Sequence, residues 1–118
     1  MLRSYGAKYG YYSSDPMEGW LIDSVIDTVA DAQNKNYKWV FAQDGEKKKE
    51  FKIEMLCNTL PALCEYLNIK LEGNKSICGD RITIADFFIW GWVSAWFTNS
   101  QSIVHHIFST IMSEYPNF

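Results

Sequence analysis

GDRITIADFFIWGWVSAWF, residues 79–97, decides how the rest of the chain is read. Asp86 stands three positions after Thr83 and directly ahead of a run rich in Trp and Phe. A bare carboxylate beside such a segment would be costly, because burying an ionised group without a partner is strongly unfavourable. The spacing supplies the partner. With Thr83 at the N-cap and Asp86 at N3, a capping box is expected: the threonine hydroxyl accepts from the Asp86 amide, and the carboxylate accepts from the Thr83 amide at the positive helix end. Ile82, just before the cap, is placed to staple onto Phe87 at N4. The apolar run from Ile84 is shorter than the roughly 20 residues that span a bilayer. It reads as a buried core helix.

Working outward, composition sets the frame. The chain has 118 residues, 47% of them hydrophobic and 16% aromatic, enough for one domain with a real core. A net charge of −3 gives no general attraction to phosphate backbones or anionic lipid. Nucleic-acid and membrane partners are therefore not expected. Cys57, Cys64 and Cys78 form no CxxC pair, and no apolar signal segment follows the N-terminus, so a reducing, cytoplasmic setting is expected.

Upstream, DPME carries a helix start: Asp15 can cap, Pro16 suits the first helical position, and Glu18 follows three residues after the cap. The helix is expected to run from about Pro16 to about Phe41, with Met17, Leu21, Val25, Val29 and Ala32 as its apolar stripe and Ile22 and Ile26 widening it. Asp23, Asp27 and Asp31 recur every four residues on another face, where like charges repel by roughly 0.2–0.5 kcal/mol per pair. Such a ladder is tolerated where it is solvated or faces a cation. Residues 1–14 look like the tail of a preceding helix, with Gly6 and Gly10 as stops.

The GEKKKE segment, residues 45–50, reads as a polar break, with Lys47, Lys48 and Lys49 balanced by Glu46 and Glu50 in a solvated loop. From Phe51 to about Asn68 the apolar positions again fit a helix, with a kink or restart expected at Pro61. Cys57 and Cys64, seven apart, should share its buried face. A weaker helix is expected over about 102–113, before Pro116. Nothing alternates like a strand, so the fold class is all-α. His105 and His106 are adjacent and point to different sides of a helix, which disfavours joint metal ligation. No metal is expected.

The order ICGDRITIADFFIW closely resembles the (V/I)GD-xx-(T/S)xAD segment in the C-terminal helical domain of cytosolic glutathione transferases. There the capping box opens the central core helix. LRSYGAKYGYYSSDP resembles the last helix of that family's thioredoxin-like domain and the linker after it. WLIDSVIDTVAD resembles the first helix of the helical domain in sigma, alpha, mu and pi type enzymes, LPALCEYL the next, and SEYPNF the lead into later ones. The resemblance implies a helical bundle over 15–118, incomplete at its C-terminal end, preceded by the end of a thioredoxin-like domain over 1–14.

It also implies a function: conjugation of glutathione, as co-substrate, to small apolar electrophiles or hydroperoxides by a homodimer. In the family the thiol-activating residue belongs to the N-terminal domain, so no residue here is assigned to catalysis, and Tyr5, Tyr9, Tyr11 and Tyr12 are not nominated. Asp31 matches the aspartate that reaches across the dimer toward the γ-glutamyl amine of the neighbouring subunit's glutathione. A fixed carboxylate suits an ammonium group. Ala30 stands where some sigma-type members carry a second acid, which weakens the case for a metal between subunits. Lys38 and Phe41, with Phe88 and Trp92 at i, i+4, match the apolar co-substrate site. The alternative is a non-catalytic helical interaction module of the same fold. Ligand storage in an apolar cleft is a third, weaker reading.

Overall fold

The computed structural model describes residues 1–96, 98–102 and 105–117. The chain is all-α: α1 (Leu2–Tyr9), α2 (Pro16–Val40), α3 (Gly45–Glu54), a π turn (Met55–Thr59), α4 (Leu60–Leu71), α5 (Ile84–Trp96) and α6 (His105–Met112). At about 1.5 Å per residue, α2 alone spans about 37 Å and sets the long axis of a body measuring 46 × 30 × 25 Å. It packs against α3, the π turn, α4 and α5, while α1 touches α5.

The start of α2 follows the expected chemistry, with Asp15 accepting from the Glu18 amide at 3.1 Å and Pro16 in the first turn. Its core face is Ile22, Val25, Val29, Ala32, Asn36 and Trp39. Met17, placed by its spacing on the apolar stripe, is instead 70% exposed. The stripe begins one turn later than the pattern suggested.

Across from α2, Leu60, Leu63, Cys64 and Leu67 of α4 and Ile84, Ala85, Ile89 and Trp92 of α5 complete one core, joined by Met55, Ile77 and Phe108. Trp92 is 3% exposed, whereas Trp90, two residues before it, is 70% exposed. The apolar run is thus amphipathic in placement even though both faces carry Trp.

Four local expectations need correction. GEKKKE is no loop: it is the first half of α3, capped by Asp44, whose carboxylate accepts from the Glu46 and Lys47 amides at 2.9 and 3.3 Å. Residues 45–50 are exposed, so no apolar periodicity announced this half of the helix, which runs on into the stretch expected from Phe51. Its lysines are solvent-exposed as expected. Gly6 does not stop α1; it lies buried within it, and only Gly10, at φ 81°, ends the helix.

The restart expected at Pro61 is present, since α4 begins at Leu60 with Pro61 in its first turn, and the third correction concerns the two cysteines that flank it. The helix adjusts ahead of it through the π turn, where the Leu60 amide donates to the Met55 carbonyl oxygen. A proline has no amide to donate and its ring crowds the carbonyl four residues back, here that of Cys57, so an inserted wide turn relieves both. That turn shifts the helical phase. Cys57 is exposed while Cys64 is buried, and the seven-residue spacing no longer puts them on one face.

The fourth is the capping box. Its acidic half forms: Asp86 Oδ2 accepts from the Thr83 amide at 2.9 Å. The Asp86 amide, however, donates to the Thr83 carbonyl oxygen at 3.1 Å, and the threonine hydroxyl itself donates to the carboxylate at 3.4 Å. Oδ1 takes a further bond, from the Ile77 amide at 3.0 Å. Asp86 therefore ties the preceding loop to the helix as well as capping it. Ile82 and Phe87 are 54% and 47% exposed, and the ring contact of Phe87 is an edge-on pair with Tyr11 at 5.1 Å.

The linker completes this junction. The Ile84 amide donates to the Tyr11 carbonyl oxygen at 2.9 Å. Gly6 allows α1 to approach so closely that a Cβ there would overlap the Ile84 side chain. The expected helix over 102–113 appears as α6. Ile103 and Val104, within that expected span, and Phe97, at the end of the quoted run, lie outside the described residues.

Candidate functional site

The acidic ladder of α2 divides into a structural and an open part. Asp23 accepts from Arg3 Nε at 2.9 Å and from the Tyr12 hydroxyl at 3.1 Å, so its carboxylate fastens α1 and the linker to α2. The bond to Asp23 raises the Arg3 guanidinium above its ordinary range. Tyr12 is also raised, first by desolvation and then by its bond to Asp23. Among the described residues the ladder's other end carries no such fastening: Asp27 and Asp31 are exposed.

Asp31 lines a groove of about 420 Å³ between α2 and the α3–α4 arm. Lys35, one turn on, lies 3.6 Å from Glu54 of α3 across the groove. Glu54 also accepts from Asn58 Nδ2 at 2.8 Å, and this bond, ahead of the charge of Lys35, lowers its carboxyl below the usual range. Thr59 and Tyr66 continue the opposite wall. The Thr59 hydroxyl is buried behind this wall, close to Glu54. The groove thus offers a carboxylate whose partner is not supplied by an ion pair of its own among the described residues. Chemically, the exposed Asp31 carboxylate can receive an ammonium group at the groove wall.

Lys38 and Phe41 are exposed at the C-terminal end of α2, Phe41 at 72%. A lysine in the last turn suits the negative end of the helix. Phe41 belongs to a chain of rings: its centroid is 6.3 Å from that of Tyr37, which in turn stands 6.0 Å and near edge-on from Trp96 of α5. Of the other two expected aromatic residues, Phe88 is half-buried against the core and Trp92 is within it. Tyr37 and Trp96 were not singled out from the sequence. Trp96 continues the 88, 92 spacing by one more turn, so the signal was present, but which turn reached the surface depended on packing. Lys35, Glu54 and Tyr66 had no local signal, because the groove joins residues far apart in the chain.

Thr83, 3% exposed, and Asp86 are bonded to one another at the start of α5. The His105 and His106 rings lie 5.5 Å apart at the start of α6. Among the described residues no cluster of three or more His, Cys, Asp or Glu side chains could hold a metal, and no helix is long and apolar enough to cross a membrane.

The fold resembles a solved structure titled prostaglandin synthase D of Nilaparvata lugens, with a TM-score of 0.70 and 21% sequence identity. That match takes in 99% of this chain and 60% of the other, so the chain spans only part of that protein's length. Residues 30–118 match the family model for the glutathione S-transferase C-terminal domain. The match extends from the end of the acidic ladder through the groove, the aromatic chain and the Asp86 junction. This chain belongs to the glutathione S-transferase C-terminal domain family.

Proposed function

We propose that this chain is the helical part of a cytoplasmic glutathione transferase, acting as a homodimer that conjugates glutathione to small apolar electrophiles or hydroperoxides. Residues 1–14 then form the end of a thioredoxin-like domain and its linker. The observation that carries the reading is Asp31: an exposed carboxylate on a groove wall, at the position the resemblance assigns to the γ-glutamyl amine of a neighbouring subunit's glutathione. Its role is to hold an ammonium group by a charge-assisted hydrogen bond, which fixes the tripeptide without touching the reacting sulfur. The apolar co-substrate lies against Phe41, Tyr37 and Trp96, with Lys38 beside them, Phe88 at the edge and Trp92 supporting the wall from the core.

Thiol activation is not assigned to any side chain here. This chain's contribution is positioning, which acts on the binding of both substrates. In the native assembly that contains the chain, Asp31→Asn should raise the KM for glutathione about tenfold, the worth of one charge-assisted bond, with kcat little changed. An unchanged KM would remove Asp31 from the site. Absence of any glutathione-dependent conjugation by that assembly would favour the other reading, a non-catalytic interaction module, for which the exposed Met17 and Trp20 supply apolar contact surface.

A further inference from the structure

A second groove, of about 450 Å³, opens on the other side of the α2–α3 connection. Its wall is apolar: Trp39 and Val40 from the end of α2, and Ile107 from α6. Its rim is cationic, formed by Lys48, Lys49 and Lys52 of α3. Among the described residues no carboxylate lines it and none of these lysines takes part in an ion pair. Glu46 and Glu50 share the helix but neither lines the groove. The amides of the first turn of α3 are capped by Asp44, so the positive charge here comes from the ammonium groups. In a chain of net charge −3, three unpaired lysines around one apolar wall are a local reversal of sign.

We propose that this groove binds a soluble organic phosphate monoester carried on an aromatic or alkyl body. Lys48 and Lys52, at i and i+4, stand over one another on the helix, with Lys49 beside them. A phosphate monoester has about two negative charges near neutral pH and three acceptor oxygens, which matches three ammonium donors. A single carboxylate would leave most of the cationic charge uncompensated. The volume lies within the range of about 300–1,000 Å³ usual for small-molecule sites. A soluble ligand is favoured over a membrane surface because the apolar wall is recessed: Trp39 is 7% exposed, and Val40 and Ile107 are half-buried. No apolar side chain of the groove projects as an insertion into lipid would need. The site is separate from the Asp31 groove and does not depend on the transferase reading.

The test uses the whole chain and 1-naphthyl phosphate, titrated by calorimetry or by its own fluorescence. Saturable binding is expected, at least about tenfold tighter than that of either 1-naphthol or inorganic phosphate, since each lacks one half of the recognition. Lys48→Gln with Lys52→Gln should weaken binding about tenfold or more, while Lys47→Gln, on the same helix but outside the groove, should leave it within about twofold. Circular dichroism checks that each variant keeps its helix content. Equal affinity for 1-naphthol, or wild-type affinity in the double variant, would overturn the proposal. So would binding to vesicles containing phosphatidic acid without binding to 1-naphthyl phosphate, because the source would then be a lipid headgroup.

Discussion

Two aspartates cap helices in this chain in opposite surroundings. Asp86 sits half-buried at the start of α5, accepting from the Thr83 and Ile77 amides beside the buried Ile84 and Ala85. Asp44 caps α3, a helix with no buried residue, and its bonds to Glu46 and Lys47 are exposed. Asp44 is an N-cap accepting from the turn that follows it, whereas Asp86 at N3 reaches back to the amides before it, so one carboxylate holds a junction of α1, the linker, a loop and α5 and the other finishes a solvated helix. A hydrogen bond matters chiefly through what is left when it is lost. The amides of the buried Thr83 and Ile77 lose their acceptor in the first case, and water replaces it in the second.

The contrast is broken most directly by removing each carboxylate. Asp86→Ala should cost about 3 kcal/mol, since each buried donor left unsatisfied costs roughly 1–3 kcal/mol and two are involved. Asp44→Ala should cost about 1 kcal/mol or less, the ordinary worth of an N-cap. Urea unfolding followed by circular dichroism measures both. Equal losses would mean that the Asp86 junction is no drier than the surface of α3.

The next effect comes from the same junction. Gly6→Ala places a methyl where the Ile84 side chain already lies, and overpacking of this kind costs roughly 1–3 kcal/mol. The strain is specific to the pair, so Ile84→Ala should cost less in a Gly6→Ala background than in wild type. Strict additivity of the two losses would show that α1 can move away from α5 freely.

These two regions also explain how much could be read from the sequence. The start of α2 was legible from Asp15 and Pro16, and α5 from Thr83 and Asp86, because cap chemistry is local and lies next to a strong apolar pattern. The first half of α3 was not, since GEKKKE is exposed throughout and has no apolar period to detect, whereas its end was legible from Phe51, which packs against the core. Gly6 was misread because a close approach to Ile84 depends on a residue 78 positions away in the sequence. Asp31 could be nominated from its ladder and its resemblance, but Lys35–Glu54 and Tyr37–Trp96 join elements that only the fold brings together.

A further effect falls on the cysteines of the arm after α3, where the π turn reversed an expectation. Cys57 is exposed and Cys64 is fully buried, and burial pushes the Cys64 thiol up to about 12. At pH 8 a thiol reagent should therefore modify Cys57 promptly, but Cys64 only as fast as the chain opens. The same burial gives a stability term with a definite sign. In the unfolded chain a thiol titrates near about 8.5, so the folded state holds the Cys64 proton more tightly. The contribution is whole below about pH 8.5 and is lost as the pH rises from there toward about 12. The urea midpoint should decline between pH 8.5 and 10.5, and Cys64→Ala, though less stable overall, should flatten that decline. A decline equally steep in Cys64→Ala would assign the alkaline sensitivity elsewhere, with Tyr12 and Tyr115, both raised chiefly by desolvation, as the next groups to replace. Prompt modification of Cys64 in the folded chain would show that the α4 face is as open as α3, and the difference between the two halves of the molecule would disappear.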